Sequence, residues 1–176
     1  VPSQLLYNRS NEVLKALRGR LATMLNWHVE RILIAAAGPE DCEHLASEQD
    51  IVLKAGHEGE APGGGEGGFE GGGRYVMRRQ RDVAIYPRTR VWLDEAPQDA
   101  VHITDASLGH WALEDLIIDY VQAWFALDSS LNAISEPFVC KGIGEPARDH
   151  RDKGWISSRI DCAFVYERLV TLAEIA

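Results

Sequence analysis

The sequence predicts an α+β domain: an antiparallel or mixed sheet of about five strands, two main helices packed on one face, and a long glycine-rich hairpin loop. Three observations lead there. Residues 11–27 and 108–127 repeat apolar side chains at intervals of three and four, the helical period. Residues 83–93 and 155–170 alternate apolar and polar side chains, the period of a half-buried strand. The order helix, two strands, glycine loop, long strand, helix, two strands suits antiparallel or mixed pairing with the helices on one side.

The bulk numbers fit a single domain over 1–176. A chain of 176 residues can bury about 70% of its unfolded surface, so it needs neither a disulfide nor a metal for stability. Apolar content of 45% and charged content of 26% are ordinary for a globular protein. A net charge of −9 argues against general nucleic-acid binding, which needs clustered Lys and Arg against phosphates. Three cysteines, Cys42, Cys140 and Cys162, are an odd number without a CxxC pair and suit reduced thiols. No apolar run reaches the roughly 18 to 20 residues of a membrane span, and no basic-then-apolar leader opens the sequence. The expectation is a protein kept inside a cell, or inside something assembled there.

In the first helix Val13, Leu14, Leu17, Leu21, Met24 and Leu25 form the apolar stripe, with Ser10 as the expected N-cap. Residues 29–37 read as a strand stopped by Gly38-Pro39, and 50–55 as a short strand closed by Gly56. Between Gly56 and Gly73, ten of eighteen residues are glycine and four are glutamate, with Pro62 and Phe69 the bulky exceptions. That composition buries too little apolar surface to offset its ordering entropy, so a flexible loop is expected.

The central ribbon, 74–93, carries the strongest strand signal. Val83, Ile85, Pro87, Thr89 and Val91 share one face and Ala84, Tyr86, Arg88, Arg90 and Trp92 the other. Arg79 and Arg81 continue the first face with charge, which predicts a bulge or an exit from the core there. Pro87 has no N–H to donate, so an edge strand or a bulge is expected at its position. The second helix places Leu113, Leu116, Ile117, Tyr120, Val121, Trp124 and Leu127 inward and His110, Glu114, Asp119 and Gln122 outward. Residues 134–141 and 155–170 complete the sheet, with Ile156, Ser158, Ile160, Cys162, Phe164 and Tyr166 on one face.

Chemistry-bearing motifs are weak. Residues 63–68 satisfy GxGxxG, but the loop feeds a strand rather than the helix whose amides would meet a pyrophosphate, and its glutamates repel one. His150-Arg151-Asp152 spells a kinase triplet without the other kinase parts. Cys42 and His44 lack further ligands at zinc spacing. No Ser, Cys or Thr occupies a nucleophile elbow, and adjacent Glu114 and Asp115 point apart on their helix. No catalytic, cofactor-binding or metal residue is assigned. The ribbon arginines Arg74, Arg78, Arg79, Arg81, Arg88 and Arg90, joined by Phe69 from the loop, are the interface candidates. On an acidic chain such arginines suit carboxylate surfaces of copies or partners better than phosphates.

The N-terminal helix, the DIVLKAG strand, the GGGRY loop exit, RDVAIYPRTRVWLDEA, LGHWALEDLIIDYVQAWF and SSRIDCAFVYERL together resemble a tail terminator, or tail completion, protein of a tailed bacteriophage. The resemblance covers most of the chain and rests on element order and texture. It implies a small α+β subunit that forms a ring, a hexamer in that family, on the end of a tail tube. Such a ring stops polymerisation and makes the surface to which the head docks. The implied partners are the tube protein and a head-side neck protein, with DNA passing through the channel and no cofactor, chemistry or membrane involved. A head-side stopper or adaptor is the nearest alternative. A small metal-dependent hydrolase and a single-strand nucleic-acid binder are the alternatives from other classes.

Overall fold

The structure is a computed structural model. It describes residues 9–35, 39, 42–43, 48–61, 69–70, 74–91, 109–127, 139–148 and 154–171. Helix α1 spans Arg9–Leu25. Its stripe of Val13, Leu14, Leu17 and Leu21 is buried as the spacing predicts. Ser10 lies inside the first turn rather than capping it. The helix ends in a Schellman turn: Asn26 takes the left-handed φ of 53°, and Trp27 N–H donates to the Ala22 carbonyl at 2.8 Å while Asn26 N–H donates to Thr23 at 3.2 Å. Asn tolerates that conformation better than a β-branched residue would.

A 3-10 turn at Val29–Arg31 then leads into strand β1, Ile32–Ala35. The predicted strand over 29–37 is thus shorter at its start, and 36–38 lie outside the described residues. Strand β2 runs Gln49–Glu60, twice the length expected from 50–55. Gly56 does not close it. Its register against the ribbon shifts between Ala55 and Glu58, a bulge, and a Cβ at Gly56 would stand 3.1 Å from the Asp82 Cβ. The bulge expected in the ribbon therefore sits in its partner. Strand β3, Phe69–Glu70, pairs with Tyr75 and Arg74, so part of the glycine-rich segment is strand. Residues 62–68 and 71–73 lie outside the described residues.

Strand β4, Arg74–Arg90, is the 17-residue centre of the sheet. Helix α2 spans His110–Leu127, strand β5 Val139–Ile143, β6 Ala147–Arg148, β7 Trp155–Ser157 and β8 Ile160–Thr171. Among the described residues these make one mixed sheet of eight strands rather than about five. β1 is parallel to β2, and every other pairing is antiparallel. β4 has β2 on one side and β7 and β8 on the other.

Pro87 is buried inside this sheet, paired with Ile51, and not at an edge. Its carbonyl accepts from Ser158 N–H at 3.4 Å, so the side lacking an N–H also faces Ser158. That missing donor explains why one long strand is split into β7 and β8 at 158–159. The register on either side is the same: Arg88 faces Ser157 and Ile85 faces Ile160.

Both helices cover the same face. Val13, Leu17, Leu21, Leu113, Ile117 and Val121 pack on Ile51, Leu53, Val83, Ile85, Ile160, Cys162, Phe164 and Tyr166. Helix α2 is rotated from the predicted stripe: His110 and Glu114 are buried, whereas Leu116 is exposed. Trp124 and Leu127 lie in the helix, but their side chains fall outside the described residues.

Candidate interaction surface on the central ribbon

The ribbon arginines divide by face and by partner. Odd positions of β4 share the helix-covered face, where Val83 and Ile85 are fully buried. Beyond the bulge, Glu58 of β2 comes onto that face opposite Arg81. Its carboxylate receives a short hydrogen bond from Arg81 and another from the Tyr166 hydroxyl, and Arg79 Nε stands 3.5 Å away. Arg81 also donates to the Gly56 carbonyl at 3.0 Å. Burial alone would raise the Glu58 carboxyl. The Tyr166 hydrogen bond and the charges of Arg81 and Arg79 outweigh it and hold the group below the usual carboxylate range. Arg79 and Arg81 are thus committed to a half-buried cluster at the margin of the core.

Arg88 has a different fate. It lies on the opposite face, 1% exposed, with Nε and Nη2 on the two Asp50 oxygens at 2.5 and 2.7 Å. Its remaining donors reach the Pro39, Cys42 and Glu43 carbonyls at 3.2, 3.2 and 3.3 Å. Five N–H groups therefore meet five acceptors within the chain. The expectation that Arg88 stands on a contact surface is corrected: it fastens Pro39, Cys42 and Glu43 to the back of the sheet.

Arg78 is half-buried and faces Glu167 in the ladder, and Arg90 is exposed with its backbone N–H on the Glu48 carbonyl. Arg74 and Phe69 are placed by register alone, opposite Glu70 and Tyr75. These two come together at the far end of the ribbon, and Arg90 stands at the other end.

The edges of the sheet complete the surface. Among the described residues β1 pairs only with β2, and β5 only with β8, so the two lie at opposite sides. β5 shows Val139 and Ile143, 62% and 50% exposed, and β1 shows Ile34. Exposed apolar edge strands invite pairing with another chain unless something covers them.

A polar chain that the sequence pattern does not show runs across β2, β4 and α2 to the link between β7 and β8. Gln49 donates to the Thr89 hydroxyl at 3.3 Å, Thr89 meets His110 Nδ1 at 2.8 Å, and His110 Nε2 meets Ser158 Oγ at 2.9 Å. Ser158 in turn bonds Glu114. A neutral imidazole with its hydrogen on Nε2 lets each hydroxyl donate onward to the next acceptor. Burial holds His110 down at about 4 and raises the Glu114 carboxyl.

These residue types invite comparison with a hydrolase triad, but the geometry differs. There the carboxylate orients the ring through Nδ1. Here Thr89 occupies Nδ1, and Glu114 Oε1 lies 3.3 Å from the same Nε2 that meets Ser158. Ser158 is 3% exposed and His110 0%, so both are closed off from solvent. The one sequence signal was the pair His110 and Glu114 at helical spacing, which also describes an exposed polar face.

On the back of the sheet, Asp82, Lys141, Arg159 and Asp161 line a depression of about 280 Å³. Lys141 pairs with Asp82 at 2.8 Å and Arg159 with Asp161 at 2.7 Å, so its cations already have carboxylate partners. Among the described residues no three His, Cys, Asp or Glu side chains gather as a metal-holding group, and no helix is long and apolar enough to cross a membrane. His28 is exposed beside Glu30, His57 lies on β2, and His44, His102 and His150 fall outside the described residues. No protein-family model and no curated protein sequence matches the chain.

Proposed function

We propose that the chain is a structural subunit of a tailed-bacteriophage particle. It closes as a ring on the end of the tail tube, stops tube polymerisation and presents the surface to which the head docks. The observation that carries this reading is the pair of different sheet edges among the described residues, β1 with exposed Ile34 and β5 with exposed Val139 and Ile143, on opposite sides of one subunit. A ring closes through a heterologous contact, which needs two different surfaces on each copy, and unlike edges supply them. Ring formation also covers Val139 and Ile143, which otherwise invite open-ended association. The resemblance in element order supports the tail position, the hexamer and the virion location. The ends of the ribbon, Arg90 at one and Arg74 with Phe69 at the other, face the tube protein and the head-side neck protein. The subunit carries out no chemistry and holds no cofactor, and DNA passes its channel without specific contact.

The test is capping. Purified full-length protein is added to growing tail-tube protein, and tube lengths are measured by negative stain. The expected result is arrested growth with a ring at one tube end, lost in a Val139→Lys, Ile143→Lys variant whose melting temperature is unchanged. Unrestrained growth with the unaltered protein contradicts the reading. Binding to isolated heads without any effect on tubes moves the role to the head-side stopper or adaptor.

A further inference from the structure

We propose that Cys140 and Cys162 are a redox-modifiable dithiol, oxidised to a cross-strand disulfide by exchange with a low-molecular-weight disulfide, which staples the edge strand β5 to β8. The two residues are direct partners in the β5–β8 ladder, and their Sγ atoms are 3.3 Å apart. Directly opposed residues of antiparallel strands have Cα atoms about 4.5 or 5.5 Å apart, both inside the disulfide range of roughly 4.4 to 6.8 Å. Bond formation needs the sulfurs to close to about 2.04 Å. The ladder shifts register immediately after Cys140, at Lys141, so β5 has local freedom to make that approach.

The two thiols have unequal chemistry, which sets the order of events. Cys140 is half-buried on an edge strand, whereas Cys162 is in the core. The hydrogen bond with Cys162 lowers Cys140 to about 7, with burial opposing and a hydrogen bond with Gln122 of α2 assisting. The same contact and burial push Cys162 up. The thiolate is the nucleophile, so Cys140 attacks first. It gives its proton to solvent, bonds to one sulfur of the small disulfide and expels the other half as a thiolate, which takes up a proton. Cys162 sulfur then attacks Cys140 Sγ, and the second small thiolate leaves with the proton Cys162 gives up. Two protein thiols are oxidised, and one external disulfide is reduced to two thiols.

The structural consequence falls on β5. Before oxidation this exposed edge is held by its ladder to β8, by Lys141 to Asp82 and by Cys140 at the core margin. A covalent link from its second residue to the core keeps β5 in place as an edge.

The experiment treats the full chain with oxidised glutathione, alkylates the remaining thiols after denaturation, and assigns the products by intact mass and peptide mapping. The expected product is two hydrogens lighter, with Cys140 linked to Cys162, and hydrogen exchange over 139–143 slows by about tenfold. Cys162→Ala is expected to stop at the glutathione adduct on Cys140. Cys140→Ala, which leaves the core intact, is expected to leave Cys162 unmodified. Both thiols remaining alkylatable in the unaltered protein overturns the proposal. So does a disulfide that includes Cys42, or an adduct on Cys162 in the Cys140→Ala variant.

Discussion

Arg88 and Asp50 face each other across the β2–β4 ladder as a two-point ion pair, 1% and 0% exposed, on the side of the sheet away from the helices. The backbone carbonyls of Pro39, Cys42 and Glu43 complete the guanidinium's partners. A buried charge is tolerated only when its partner and hydrogen bonds are complete. The pair therefore acts as a clasp between the ribbon, β2 and the segment behind them.

Removing either half leaves the other charge buried and alone. Arg88→Ala and Asp50→Ala are each expected to lose about 3 to 5 kcal/mol of unfolding free energy. Arg88→Lys recovers only a minor part, since a point-like ammonium with three donors cannot reproduce the planar fork. Urea-unfolding midpoints check this, and the double substitution to alanine should cost less than the two single losses combined.

The buried His110 chain sets a pH dependence whose sign follows from its environment. His110 titrates near 4 in the folded protein, against an ordinary 6.5. Between those values the unfolded chain binds the extra proton, so stability present above 6.5 is lost as pH falls toward 4. At about 1.36 kcal/mol per pKa unit the loss is on the order of 3 kcal/mol. Glu114 works in the other direction, because its raised carboxyl takes a proton more readily when folded. Unfolding midpoints from pH 7.5 to 4.5 should fall with acid, more steeply in Glu114→Gln and less steeply in His110→Gln.

Glu58 contributes a separate acid sensitivity. Its folded carboxyl lies below the usual range, so its stabilisation is present above about 4.3 and is lost as pH falls through the lowered folded value. Glu58→Gln is expected to destabilise at neutral pH by about 1 to 2 kcal/mol, from weakened charge-assisted bonds to Arg81 and Arg79. It should also abolish the Glu58 part of the acid loss. Measured Tm at pH 7 and pH 3.5 separates the two effects, and an unchanged Tm at both contradicts the cluster's role.

Much of this was legible in the sequence because burial on one side imposes a period. The buried stripe Val13, Leu14, Leu17 and Leu21 of α1, the odd positions 83–89 of β4 with Val91 just beyond it, and the even positions 160–166 of β8 all follow from alternation or helical spacing. What failed were places where tertiary contact overrides the local pattern. Arg88 looked like a surface residue because period two says which side a residue faces, not whether that side is covered. His110 and Glu114 look like a solvated face, but the start of α2 sits over Thr89 and Ser158, which meet both ring nitrogens of His110, and Ser158 also bonds Glu114. Gly56 looks like a stop, yet it lies in a bulge of β2 where a Cβ would stand 3.1 Å from the Asp82 Cβ of the neighbouring strand. Pro87 looked like an edge signal, and the sheet accommodates it by one interrupted stretch opposite. Of the candidate interface, the arginines were visible as a cluster, but their division between internal carboxylates and open surface was not.

The central claim is that this subunit ends tail growth. Its most direct test is negative-stain imaging of particles assembled in a producing host with this one product omitted. The account predicts tails of uncontrolled, overlong length without attached heads, and restoration of uniform tails when the protein is supplied in trans. Particles with tails of normal length and attached heads in its absence would contradict it.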